Sequence, residues 1–168
     1  MMAETMVRMG ELACTASAGD VLVSLGLGSC IGLALLDRKA GIAGLAHVVL
    51  PAGEGRPGDP GKFADTAVPV LLDAVLALGA RRTRVDAVLV GGASMFSFGD
   101  GGLEVGQRND AAVRDELAKL RIPIAAAETG GSCGRTVRVT VEDGRVTSRA
   151  AGDTEVELYP KTLVEVAA

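Results

Sequence analysis

Aromatic residues are nearly missing from this chain: it has no Trp, one Tyr and three Phe. Val, Leu, Ile and Ala must therefore fill the interior. Together with 23 Gly, that implies thin, closely packed layers, such as sheets covered by small-residue helices. Runs of Lys and Arg are missing too. With a formal net charge of −4 and no aromatic platform for bases, the chain does not read as nucleic-acid binding. No apolar stretch reaches the length of a membrane span. The longest, around residues 41–50, is interrupted by His47 and stopped by Pro51, so the chain reads as not membrane-inserted. Its first residues include Glu4, Arg8 and Glu11 where a signal peptide would be apolar, and a cytoplasmic location is the default expectation. Cysteines are few. Cys14, Cys30 and Cys133 leave at least one unpaired and form no C-x₂₋₄-C pair, which argues against both a disulfide framework and a structural zinc site.

What is present reads as one α/β domain over residues 1–168: a layered, strand-rich sandwich with two main helices. Residues 21–25 and 31–36 are short apolar strands flanking Gly26-Leu27-Gly28-Ser29-Cys30, and a polar turn at residues 37–41 leads to a third strand at 42–50. Gly and Pro dominate residues 52–62, a surface loop. Leu71, Leu72, Val75, Leu76 and Leu78 recur at helical spacing, with Pro69 expected in the first turn. Residues 85–90 form an apolar strand entering Gly91-Gly92. Asn109 or Asp110 suits the cap of a second helix whose buried face carries Val113, Leu117 and Leu120. Residues 122–127 suggest another strand, and residues 136–147 a hairpin with a tight turn at Asp143-Gly144. From about residue 155 the chain is a terminal strand and a frayed tail.

The chemistry concentrates at Cys30. A cysteine just after a Gly-x-Gly turn sits where backbone approaches a ligand closely, and the N–H groups of Gly28, Ser29 and Cys30 can converge on one oxygen, as an oxyanion site requires. Taken alone, Cys30 is as well explained as a small buried hydrophobe. His47, the chain's single histidine, changes that. It lies inside an apolar strand, where imidazole is costly to bury without partners. If strands 31–36 and 42–50 pair across the turn at Arg38-Lys39, their far ends meet, and thiol and imidazole become neighbours across the ladder. A paired thiol is a poised nucleophile.

Several motifs in one order carry a resemblance: Ser24-Leu-Gly-Leu-Gly-Ser-Cys30, Leu45-Ala-His47 with Leu50-Pro51, Gly61-Lys-Phe-Ala-Asp-Thr66, Gly91-Gly-Ala-Ser-Met-Phe96, Gly106-Gln-Arg-Asn109 and Thr129-Gly-Gly131. Together they resemble the CheD family of chemoreceptor glutamine deamidases, whose layered α/β core is similar to that of toxin deamidases. The resemblance implies hydrolysis of selected glutamine amides on the cytoplasmic helices of chemotaxis receptors, releasing ammonia, with receptor methyl-ester hydrolysis also credited to the family. It places the catalytic cysteine on Cys30 and the histidine on His47. The third member is a threonine six positions before the cysteine, and here that position holds Ser24, which keeps the hydroxyl and loses the methyl. Receptor helices and a CheC-type phosphatase are the implied partners. The chemistry needs no metal or organic cofactor.

Other residues divide between roles. Ser94, Met95 and Phe96 either line a substrate groove suited to an amphipathic helix or belong to the core. Asn109 suits a helix cap, with substrate contact by Arg108 and Asn109 as the other reading. Thr129-Gly130-Gly131 either bends backbone toward the site or turns a corner. Cys14 and Cys133 read as incidental thiols. A non-catalytic adaptor docking on receptor helices is the main rival, and release of ammonia distinguishes it.

Overall fold

The structure, a computed structural model, describes residues 3–94 and 104–160. Ten strands form two five-stranded sheets. One is ordered β1 (Ala3–Met6), β3 (Asp20–Leu27), β8 (Arg135–Thr140), β9 (Arg145–Ala150), β10 (Glu155–Tyr159). The other is ordered β2 (Leu12–Thr15), β5 (Ile42–Val48), β4 (Ile31–Asp37), β6 (Asp86–Gly91), β7 (Ile124–Thr129). Helices α1 (Ala64–Ala77) and α2 (Val105–Lys119) cover the outer face of the second sheet, giving a layered, strand-rich α/β sandwich.

The apolar pattern explains the layering. β4 and β5 are buried along their whole length because one face meets the helices and the other meets the first sheet, so both read as continuous apolar runs. Ile31, Leu33 and Leu35 pack with Val68, Leu71 and Leu72 of α1 and Val113 and Leu117 of α2. Ala34, Leu36, Ala43 and Leu45 face Leu22, Val137, Val139 and Val146 of the opposite sheet. Each fully buried Leu or Val contributes about 1.5–3 kcal/mol, enough collectively to fix the register. One slipped residue would exchange the two faces.

The hairpin read from the sequence forms, with Asp37 paired to Ile42 and Ile31 to Val48. Other boundaries differ. α1 begins at Ala64, well ahead of Pro69, which therefore lies inside the helix and offers no N–H to the Asp65 carbonyl. The stripe Ala64, Ala67, Val68, Leu71, Leu72 and Val75 is buried as a unit, and that burial outweighs the lost hydrogen bond. The turn at Asp143-Gly144 belongs to a longer loop, residues 141–144, between paired Thr140 and Arg145. β1 and β2 were not visible as strands in the sequence, because they are short and no residue of either is fully buried.

Candidate active site

Cys30 lies in the short connection where the chain leaves β3 in one sheet and enters β4 in the other. Its thiol is buried between the sheets with Val7, Leu27 and Val90. β5 brings His47 opposite Gly32, two residues after Cys30, which lies just before the first paired residue Ile31, so thiol and imidazole lie near the same end of the β4–β5 ladder. Their residues are 8% and 4% exposed. The sequence led us to expect direct thiol–imidazole contact. Among the described residues no hydrogen bond joins the two. The imidazole Nδ1 instead lies 3.1 Å from the carbonyl oxygen of Val7.

That contact fixes the tautomer. A carbonyl oxygen only accepts, so Nδ1 carries the proton and Nε2 keeps the lone pair needed by a base. Ser24, fully buried, donates its hydroxyl to the same Val7 oxygen at 2.8 Å. Ser24 therefore does not bond the ring itself; hydroxyl and imidazole share one backbone acceptor. The Val7 N–H donates to Val23, and the backbone of His47 is bracketed by Glu11 and Gly10, so residues 7–11 hold the imidazole from its main chain and its side chain. Burial lowers the His47 pKa, opposed by its bond to Val7 and by the charge of Glu11. Burial also raises the Cys30 thiol. Both groups therefore rest in their neutral forms at neutral pH.

The Cys30 loop is held from the other side. The Gly28 carbonyl accepts from the Ala93 N–H at 2.8 Å, the Cys30 carbonyl from the Gly92 N–H at 2.9 Å, and the Ser29 carbonyl from Asn109 Nδ2 at 2.9 Å. Three successive carbonyls are thus committed to protein partners. The N–H groups of Gly28, Ser29 and Cys30 meet no acceptor among the described residues. Because the peptides are trans, the pinned Gly28 and Ser29 carbonyls turn the N–H groups of Ser29 and Cys30 the opposite way. Free, pre-aimed N–H groups beside a thiol are the makings of an oxyanion site.

The approach that allows this depends on glycine. A Cβ on Gly91 would collide with the Cys30 carbonyl oxygen, and one on Gly106 would lie 2.5 Å from the Ala93 oxygen, so neither position tolerates a side chain without moving the loop. Further out, the Gly130 N–H donates to Gly91 and Ser94 donates to Gly131. Arg135 Nη1 reaches the carbonyls of Gly91 and Gly130 at 3.2 and 2.9 Å. The turn after β7 therefore braces the end of β6, which in turn braces the Cys30 loop.

The remaining sequence-predicted residues separate. Asn109 is no cap: α2 starts at Val105 with Glu104 preceding it, and Asn109 lies on the buried stripe with Gly106, Val113 and Leu117. Its spacing of four from Val113, and again from Leu117, was the sequence signal for burial. Its Nδ2 also donates to the Val49 carbonyl at 2.9 Å, while its Oδ1 has no partner among the described residues. An orphaned buried acceptor costs about 1–3 kcal/mol, so the donor side of this amide must be strongly required. Arg108 is exposed on the first turns of α2. Thr129 Oγ1 donates to Asp110 at 3.3 Å and accepts from Arg114, a tie to α2. Ser94 is half-buried; Met95 and Phe96 lie outside the described residues. Sequence reasoning missed Val7, whose contribution is a backbone oxygen. It also missed Met9 and Leu25, which are 64% and 56% exposed and flank a depression of about 350 Å³ lined by Met6, Val7, Arg8 and His47 as well. Leu25 projects there from a bulge in β3, where Ser24 pairs with Val137 but Leu27 with Arg135.

Comparison with known proteins gives the family of the chain. The model of the CheD chemotactic sensory transduction family matches residues 49–150. A probable chemoreceptor glutamine deamidase CheD of Methanococcus vannielii is 42% identical over 148 residues, covering 88% of this chain and 95% of the relative. Relatives of the same description from Symbiobacterium thermophilum and Clostridium botulinum are 43% and 41% identical over 157 and 159 residues, covering 90% and 92% of this chain and 95% and 98% of theirs. A stretch of 148 residues leaves 20 of the 168 outside it, so Ser24, Cys30 and His47 all fall within the first alignment. A solved Neisseria meningitidis protein of family DUF152 overlays with a TM-score of 0.48 at 10% identity, covering 78% of this chain and 63% of that one.

Proposed function

Because the chain belongs to the CheD family, we propose that it deamidates glutamine side chains of chemotaxis receptors to glutamate, through a thioester on Cys30. The observation that carries the site assignment is the convergence just described. A buried thiol and an imidazole whose Nε2 has no partner among the described residues lie near one ladder end, beside a loop whose carbonyls are engaged and whose N–H groups meet no acceptor among those residues. No other cluster of nucleophile, base and oxyanion donors is found among the described residues.

The reaction follows from those atoms. Nε2 of His47 takes the Cys30 proton as sulfur attacks the side-chain carbonyl carbon of glutamine, forming the C–S bond. The oxygen turns negative and is held by the N–H groups of Ser29 and Cys30. The C–N bond breaks as the imidazolium returns its proton to nitrogen, and ammonia leaves. Water then gives a proton to Nε2 and attacks the thioester. The C–S bond breaks, glutamate is released, and the imidazolium reprotonates the sulfur. The Val7 carbonyl, which also accepts from Ser24, keeps the ring in its Nδ1–H form throughout. The gap between the two side chains, which no hydrogen bond spans among the described residues, is closed by side-chain rotation when substrate enters.

Met9 and Leu25 frame the opening beside His47 and suit the apolar stripe of a helical substrate. The working location is the cytoplasm; no helix of the described residues is long and apolar enough to cross a membrane. A CheC-type phosphatase is a second partner for the same opening. The deciding experiment incubates a receptor cytoplasmic fragment with the wild-type chain and with Cys30→Ala. Wild type is expected to release ammonia and convert specific glutamines to glutamate, read by mass spectrometry, while Cys30→Ala does neither. Turnover by Cys30→Ala would remove the thioester reading, and binding without turnover by the wild type would make the chain an adaptor.

A further inference from the structure

We infer that Asn109 is a positioning residue for this reaction: its single Nδ2, bridging the Cys30 loop to the end of the His47 strand, aims the Cys30 N–H at the developing oxyanion. The inference rests on the thioester reading above and adds a residue to it.

The argument begins from the two acceptors. Nδ2 lies 2.9 Å from the Ser29 carbonyl, in the peptide whose N–H belongs to Cys30, and 2.9 Å from the Val49 carbonyl, two residues beyond His47. Both partners only accept, so the amide must present both of its protons to them. Within the rigid Ser29–Cys30 peptide, holding the carbonyl toward α2 holds the N–H toward the thiol side. The neighbouring peptides are held by the backbone N–H groups of Ala93 and Gly92, and only the central one depends on a side chain. The same nitrogen links strands β4 and β5 just beyond the point where their ladder ends at Ile31 and Val48. There the ladder no longer fixes the distance between Cys30 and the strand carrying His47.

A residue retained only for stability would not occupy this place. Asn109 is fully buried on the apolar stripe of α2, where Leu would fill the space, and its Oδ1 lacks a partner among the described residues. The geometry serves the donors at the expense of the acceptor.

The test is a kinetic split on the full-length chain. Oxyanion stabilisation acts in the transition state alone, so Asn109→Leu is expected to lower kcat for ammonia release from a receptor fragment by about 10- to 100-fold with KM little changed. Alkylation of Cys30 by iodoacetamide is a displacement at saturated carbon that creates no oxyanion. Its rate, followed at the Cys30 peptide by mass spectrometry, is expected to stay within about twofold of wild type. Asn109→Asp preserves the shape but has no proton to give when ionised. Buried between two carbonyl oxygens its carboxyl pKa is raised, and its kcat relative to wild type is expected to rise as pH falls and one donor returns. Should Asn109→Leu fail to fold, the same split is measured on Asn109→Asp. Unchanged kcat, or kcat and alkylation falling together, would overturn the inference. Activity in Cys30→Ala would instead overturn the site assignment on which it stands.

Discussion

The imidazole and the thiol of this site are held by different segments of the chain. His47 takes its side-chain and main-chain bonds from residues 7–11, a segment running alongside β3, with Ser24 bound to the same Val7 oxygen. The Cys30 loop takes its bonds from the end of β6 and from α2. The imidazole is thus oriented by a backbone carbonyl with a hydroxyl behind it, and the thiol by close backbone contact permitted by glycine. On the proposed assignment, the difference teaches that base and nucleophile are separately adjustable. Changes near Val7 should alter proton transfer, and changes near Gly91 should alter attack and oxyanion binding. Asn109 is where the two halves meet.

The comparison can be broken most forcefully at the base. His47→Ala is expected to lower turnover by about 10²–10⁴-fold while the chain still folds, checked by ammonia release and circular dichroism. On the thiol side, Gly91→Val places a side chain against the Cys30 carbonyl at a φ of +117°. It is expected to cost about 10²-fold in kcat, as a misplacement of about 1 Å does, together with lowered thermal stability. Ser24→Ala frees one of two bonds on the Val7 oxygen and should cost about 0.5–1.5 kcal/mol in denaturant unfolding. It should reduce kcat by less than about tenfold, since Val7 still holds the ring. Equal losses for Ser24→Ala and His47→Ala would show that the hydroxyl, not the carbonyl, is the true orienting group. Met9→Ser with Leu25→Ser removes two exposed apolar side chains that make none of these bonds, and should raise KM a few-fold, about what loss of a small apolar contact gives, at unchanged kcat.

The smallest effect is on pH. Burial lowers the His47 pKa in the folded chain, so the unfolded chain takes up a proton near the ordinary value of 6.5 that the folded chain refuses. Stability therefore falls as pH drops below about 6.5 and levels off below the folded-state pKa. In a His47→Gln variant that part of the slope should be absent from urea midpoints. The same protonation removes the base, which places the acid limb of kcat/KM below pH 6.5, whereas burial places the thiol limb above its ordinary value of 9.0.

How much of this was legible follows from what sequence patterns encode. The β4–β5 hairpin was readable because two apolar runs flank a polar turn, and their pairing put Cys30 and His47 near one end of the ladder. The start of α1 was misplaced because Pro69 looks like a boundary, and only burial of the stripe from Ala64 shows otherwise. Asn109 was read as a cap because asparagine before an apolar periodic run fits a helix start. Its true surroundings, Ser29 and Val49, are distant in the chain. Val7 was invisible, since its part is played by an oxygen that every residue possesses.

The sequence by itself determined the layered class, the family, and the residues able to act as nucleophile and base, because periodicity and residue chemistry are local and additive. Only the tertiary structure decided which oxygen orients the imidazole, which N–H groups remain free beside the thiol, and that a side chain on α2 joins the two. Those are outcomes of backbone groups competing for partners, settled by which distant segments packing brings within 3 Å or so of one another.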